Sequence, residues 1–109
     1  MDAEATGTEA RWQLVAGPLP AVGAPVVVTV DGTDVAVVAL GTKLVAFDDT
    51  CTHRMCPLSE GVIDETSVTC PCHKSRFDLT TGQPLNGPAT DPIRIRQVSV
   101  DGSHLLIER

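Results

Sequence analysis

Two short stretches carry every cysteine of this chain. CTHRMC occupies residues 51–56 and CPCHKS residues 70–75, and each holds two cysteines and one histidine. Read as half-sites they are Cys51-x-His53 and Cys70-x-x-His73, with sixteen residues between His53 and Cys70. Such a density of thiolate and imidazole donors points to a metal, and a fold must then bring two separate loops to one point. Each half offers one thiolate and one imidazole. A common zinc finger instead groups its cysteines in one half and its histidines in the other, so zinc is the poorer fit. Two disulfides without a metal leave His53 and His73 without a reason. A mixed pair in each loop suits a centre with two unlike irons, one held by both thiolates and one by both imidazoles. Two sulfurs, Cys56 and Cys72, are then surplus.

The rest of the chain reads as the scaffold for those loops. APVVVTV (24–30) is rich in β-branched residues and runs into the turn Asp31-Gly32. VAVVAL (35–40), a turn at 41–43 and LVAF (44–47) follow, and Trp12 to Val15 can start a first strand. Runs of this length bounded by Gly and Asp are strand and hairpin signals. In IRIRQVSV (93–100) the alternation slips at Gln97, which suggests a bulge or bend. Asp101-Gly102 then turns into HLLIE (104–108). No segment keeps a helical period over three turns, and there is no internal repeat. The expectation is an all-β chain with many short strands. Residues 1–10 read as a flexible, polar lead, and 11–109 as one domain, in which about 48–92 is an insertion carried on the β scaffold.

Length and charge narrow the function. The chain has 109 residues, 42% of them hydrophobic but only 3% aromatic, so the core must be built from small aliphatic side chains and gains from a staple or metal. Eight basic against fourteen acidic residues give a net charge of -6, which argues against nucleic acid as the partner. No apolar run reaches the 18 or so residues of a membrane span. The opening MDAEATGTEA has neither the basic nor the apolar region of a signal peptide. A cytoplasmic protein is expected, or an extracytoplasmic one if a signal or anchor was removed.

The stretch 51–92 resembles the cluster-binding part of Rieske [2Fe–2S] proteins. CTHRMCPLSEG is similar to the first cluster loop of that family and CPCHKSRFD to the second. TTGQPLNGPATDP is similar to the segment leading into the proline-containing loop that covers the cluster, here with Pro88. The resemblance implies an antiparallel β sandwich or barrel base with an inserted cluster-binding subdomain. It implies a [2Fe–2S] cluster with Cys51 and Cys70 on one iron and His53 and His73 on the other, bound through Nδ1 with their Nε2 edges toward solvent. It also gives the surplus sulfurs a role, because high-potential members join the cysteines at these places; a Cys56–Cys72 disulfide is expected. Three departures stand out. Lys74 follows the second histidine where the family usually has Gly. Ser75 is kept, but Phe77 stands where high-potential members carry a Tyr whose hydroxyl reaches a ligand sulfur, and losing that bond lowers the potential. A disulfide is also unexpected in a reducing cytosol.

What the resemblance implies about activity is one-electron transfer, with a reductase upstream and a terminal oxygenase or other redox enzyme downstream. The alternative is an electron-transfer subunit of a larger oxidoreductase or cytochrome bc-type complex, and a third reading is a module that senses rather than transfers. A catalytic oxygenase needs a further iron on two histidines and a carboxylate. The chain has three histidines, the cluster takes two, and His104 reads as an ordinary edge or surface residue. Trp12 reads as core or edge packing. Arg54, Lys74 and Arg76 lie close to the ligands in sequence, while Glu60, Asp64 and Glu65 fall in the connection, so a basic tip on an acidic body is expected.

Overall fold

Asp31 and Gly32 have φ of 51° and 83°, the left-handed pair that a two-residue hairpin requires. They join β2 (Val26–Val30) to β3 (Thr33–Leu40), with Val30 opposite Thr33. β3 returns through a turn at Gly41 into β4 (Lys43–Asp48). The computed structural model describes residues 11–16, 19–20, 24–41, 43–52, 56–64, 66–72, 74–86, 91–102 and 104–109; the expected lead at 1–10 lies outside them.

Among the described residues, eleven strands form three antiparallel sheets, as expected of an all-β chain. β2, β3 and β4 make the central sheet with β9 (Ile95–Arg96), in the order β2-β3-β4-β9. β1 (Trp12–Ala16), β11 (His104–Glu108) and β10 (Val98–Asp101) make a second sheet in that order. The third, β5-β6-β7-β8, is built from Val62–Ile63, Ser67–Thr69, Arg76–Asp78 and Pro84–Asn86, within the stretch expected to be inserted. Its strands of two or three residues were not legible as strands. A short 3₁₀ turn, Leu58–Glu60, follows the first cysteine loop. No helix among the described residues is long and apolar enough to cross a membrane.

The central sheet is buried on both faces, which is why β3 carries four consecutive buried residues. Val35 and Val37 point into a cluster with Val30, Ala46, Leu105 and Ile107, against the β1-β11-β10 sheet. Ala36 and Val38 point the other way, into a cluster with Phe47, Leu58, Val68, Phe77, Leu79 and Ile93. The second cluster also contains Cys51 and Cys70. The β base and the metal loops therefore share one apolar core.

The slip at Gln97 has a structural cause. The chain leaves the central sheet after Arg96, which pairs with Ala46, and joins the other sheet at Val98, which pairs with Ile107. Gln97 and Glu108 hold the crossing, with Gln97 N–H donating to Glu108 Oε1 and Glu108 N–H to the Gln97 carbonyl, both at 2.9 Å. Arg96 is buried here and satisfied: its Nε pairs with Asp48 at 2.5 Å and its Nη1 donates to the Glu108 carbonyl at 2.8 Å. This guanidinium is structural, since a buried cation needs that pairing.

Candidate metal centre

β4 ends at Asp48 and passes the chain directly into the first loop. Asp49 is buried, and its carboxylate accepts the Ser59 backbone N–H at 2.6 Å and the Ser59 hydroxyl at 2.8 Å. The loop is closed by Cys51 N–H donating to the Cys56 carbonyl at 2.8 Å. The Thr52 hydroxyl donates to the Asp91 carbonyl at 2.8 Å, which pins the loop to a segment 39 residues away. Sequence reasoning missed both anchors. Neither has a local signal, because each joins residues that only the tertiary fold brings together.

The second loop leaves β6 after Thr69 and re-enters the sheet at Arg76. Cys70 N–H donates to the Ser75 carbonyl at 2.7 Å and Lys74 N–H to the Cys70 carbonyl at 3.2 Å, so the turn is held at both ends. Lys74 has φ of 66°, a left-handed conformation that costs a residue with a Cβ about 1–2 kcal/mol. Glycine would sit there without that cost, which gives a physical reason for the family's usual glycine and none for the lysine found here. Gly61 packs beneath the turn: a Cβ on it would overlap the Thr69 carbonyl oxygen and approach Pro71 Cδ at 3.2 Å.

The two loops are tied by a Cys56–Cys72 disulfide with a Cα–Cα distance of 6.5 Å, so the expected bridge is present. The other two cysteines, Cys51 and Cys70, are thiols, 0% and 1% exposed. The Cys70 sulfur lies within 4.8 Å of both disulfide sulfurs, which places the loops at one point. His53 and His73 lie outside the described residues, as do Arg54, Glu65 and Pro88. Ser75 and Phe77 are fully buried, and Phe77 shares the core cluster of Cys51 and Cys70. His104 lies on β11, paired within the β1-β11-β10 sheet with Ala16 and Asp101 and away from both cysteine loops.

The basic tip needs correcting at one residue. Arg76 Nη2 donates to Ser67 Oγ at 3.0 Å and lies 3.8 Å from Asp64 Oδ2, so its charge is turned onto the connection. The Ser67 hydroxyl donates to Asp64 at 2.8 Å and holds that carboxyl below its ordinary value of 3.8, against desolvation and with help from the Thr66 and Ser67 N–H groups and Arg76. The carboxylate beside Arg76 is thus held toward its ionised form.

Comparison with known proteins decides the family. Residues 12–99 match the family described as Rieske [2Fe-2S] domain. The chain belongs to that family. It is 33% identical over 81 residues to the ferredoxin component of the naphthalene 1,2-dioxygenase system of Pseudomonas aeruginosa, covering 74% of this chain and 78% of that protein. It is 39% identical over 75 residues to the 3-phenylpropionate/cinnamic acid dioxygenase ferredoxin subunit of Shigella boydii, covering 68% and 71%. Among solved structures, the ferredoxin of carbazole 1,9a-dioxygenase from Nocardioides aromaticivorans superposes with a TM-score of 0.78 at 34% identity, over 85% of this chain and 93% of that one. A ferredoxin from a complex of reduced oxygenase and oxidized ferredoxin in carbazole 1,9a-dioxygenase gives 0.77 at 32% identity, over 89% and 92%.

The Rieske family's group is a [2Fe–2S] cluster, which when bound takes up and releases one electron. The donor chemistry here fits it: two thiols, buried in one core, sit on loops that a disulfide and two backbone closures hold together. The bridge itself is testable. Iodoacetamide on the native, unreduced protein should leave Cys56 and Cys72 unmodified by mass spectrometry, and modification of both would remove the bridge from the account. A Cys56→Ser/Cys72→Ser double variant should unfold more easily by roughly 3 kcal/mol, the closure of a loop of about fifteen residues.

Proposed function

We propose that this Rieske protein is a one-electron carrier, the ferredoxin component of a multicomponent oxygenase system, taking electrons from a reductase and delivering them to the terminal oxygenase. In this reading Cys51 and Cys70 hold one iron and His53 and His73 the other. The chain from 11 onward acts as one domain, with 48–92 as the part that carries the cluster. The observation that bears most weight is the pair of buried thiols on bridged loops in a chain whose relatives are ferredoxin components of dioxygenase systems. Its likeness to the ferredoxin of a ferredoxin–oxygenase complex supports an oxygenase as the partner. Catalysis is not part of the reading: once two histidines are given to the cluster only His104 remains, and it lies on the other sheet. A cytoplasmic location goes with the same reading. The disulfide favours the alternative of a subunit in a larger oxidoreductase, but the ferredoxin relatives outweigh it.

Anaerobic titration with dithionite tests this. The protein should take up one electron per chain and develop a rhombic EPR signal. Protein that carries zinc and takes up no electron would overturn the reading.

Phe77 gives a signed consequence. It is fully buried in the cluster of side chains that includes both thiols, and it lacks the hydroxyl of a tyrosine. Phe77→Tyr should add a hydrogen bond to a ligand sulfur and favour the more negative, reduced state, so the potential should rise. A bond to a charged acceptor contributes about 1.5–3 kcal/mol. Only the part that differs between the two states counts, and a one-electron couple moves about 59 mV per tenfold. A rise of some tens of millivolts by voltammetry is expected; a fall would contradict it.

A further inference from the structure

All four cysteines lie among the described residues, so the set of sulfurs is complete. Three of them, on Cys56, Cys70 and Cys72, lie within 4.8 Å of one another, and Cys51 stands outside that group. Two of the three form the bridge and the third is a thiol. A thiol so placed is a nucleophile beside its electrophile, because bridges pass between cysteines by attack of a thiolate on a disulfide sulfur. The three surroundings differ. Cys70 lies in the apolar core cluster and Cys56 packs against it, whereas Cys72 is exposed at the outer turn of the second loop. Cys70 and Cys56 are also the anchored pair. Cys70 N–H donates to the Ser75 carbonyl and the Cys70 carbonyl accepts the Lys74 N–H, while the Cys56 carbonyl accepts the Cys51 N–H. The resident bridge thus has one end in water and leaves an S–H in the core.

We propose that these three cysteines form a thiol–disulfide exchange site, at which iron-free protein passes its bridge from Cys56–Cys72 to Cys56–Cys70. The inference rests on the reading that gives Cys70 to an iron, because a cluster that holds Cys70 holds back the nucleophile. Once released, the Cys70 thiol gives its proton to water and its sulfur bonds to the Cys56 sulfur. The Cys56–Cys72 bond breaks, and Cys72 leaves as a thiolate that takes a proton from water. One S–S bond is made and one broken, so no oxidant or reductant is needed. Burial directs the attack to Cys56. That attack expels the sulfur that water solvates, whereas attack on Cys72 expels Cys56 into apolar surroundings. The product puts the apolar bridge in the core and the thiol in solvent. It also keeps the loops tied over a span close to the 16-residue separation of the resident bridge, so the constraint on the unfolded chain persists. A Cys70–Cys72 bridge would untie them. Exchange therefore withdraws one of the two buried thiols, and iron-free protein takes up no cluster through that pair until a thiol or other reductant opens the bridge. A bridge that reads the redox state in this way also suits a cytoplasmic chain, where disulfides are mostly transient.

Disulfide mapping of the full chain tests this. Iron and sulfide are removed anaerobically from iron-loaded protein by a chelator and gel filtration, and samples are quenched in acid and alkylated with N-ethylmaleimide in denaturant. Cleavage after Glu60 and Glu65 parts Cys56 from the other two, and fragmentation at Pro71 tells Cys70 from Cys72. Iron-loaded protein should carry its label on Cys51 and Cys70. In iron-free protein the Cys70 label should pass to Cys72 in most chains, with the total unchanged at two thiols per chain. Cys51→Ser, which the ligand reading expects to be iron-free as isolated, keeps the same three sulfurs and should show the Cys56–Cys70 bridge without stripping. Circular dichroism is recorded beside each map, and a urea-unfolded sample, where exchange is undirected, gives the reference mixture. Label that stays on Cys70 in both iron-free samples would overturn the inference, as would a Cys70–Cys72 bridge, loss of label from Cys51, or a map no different from the urea mixture. Iron-loaded protein in which Cys70 is already bridged would instead overturn the ligand reading, and the inference with it.

Discussion

Cys70→Ala is expected to abolish the rhombic EPR signal of the reduced protein and to remove most of its iron, while the β scaffold stays folded. The two effects separate because of where Cys70 sits. Its thiol is buried and within 4.8 Å of the disulfide sulfurs, so no other thiol on the second loop is available to replace it. As packing, however, it is a small side chain at the edge of a cluster whose bulk is Phe47, Phe77, Leu58 and Leu79, and losing one sulfur there leaves that cluster in place. Cys51→Ala, His53→Ala and His73→Ala should lose the signal in the same way, since the proposed ligand set gives each of these four residues to an iron. His104→Ala should keep it: His104 is half-buried on β11, paired with Ala16 and Asp101 in the sheet that carries neither loop. Iron content and EPR of the five variants, beside circular dichroism, make the comparison. Full iron and an unchanged spectrum in His73→Ala or Cys70→Ala would show the ligand set to be wrong.

Much of this site was legible because its chemistry is concentrated in two short motifs. The spacing of Cys51, His53, Cys70 and His73 needs no tertiary information to suggest a mixed-ligand centre. The Cys56–Cys72 pairing came from the family resemblance, and the bridge is there. Strands with five or more residues and a turn signal at their ends, such as Val26–Val30 with Asp31-Gly32, were equally plain. What escaped was short or long-range. Strands β5 to β8 have two or three residues each and show no alternation, so only pairing with one another identifies them. Asp49 reads as one more surface acid until Ser59 is placed against it. Arg76 reads as part of a basic tip until the β6–β7 pairing sets it across from Thr69, beside Asp64 and Ser67. In each case the missing information is a contact between residues distant in sequence, which residue type alone does not encode.

Gly82→Ala should be the most destabilising conservative change outside the ligands, because it combines two costs at a place where the chain crosses itself. Gly82 has φ of 84°, and a Cβ there adds about 1–2 kcal/mol. Gly82 is also buried, with its N–H donating to the Asp78 carbonyl at 2.6 Å and its carbonyl accepting the Ile93 N–H at 2.8 Å. A Cβ would overlap the Ile93 carbonyl oxygen and stand 3.3 Å from Ile95 Cγ1, so the backbone of the strap entering β9 has to move. Strain and displaced packing together should cost about 3–5 kcal/mol, in the range where backbone conflict and core disruption combine. Gly102→Ala separates the terms: its φ is 65°, but a Cβ meets nothing within 4 Å, so only the conformational cost remains. The damage should also reach the metal loops. Ile93 lies two residues after Asp91, whose carbonyl holds the Thr52 hydroxyl of the first loop, and a displaced strap loosens that hold. Urea unfolding of both holo-variants should show a far larger loss for Gly82→Ala, with faster loss of iron to a chelator at concentrations of urea where the sheets persist. Equal stabilities for the two variants would mean that the strap yields at no cost and that the crossing at Gly82 does not hold the first loop.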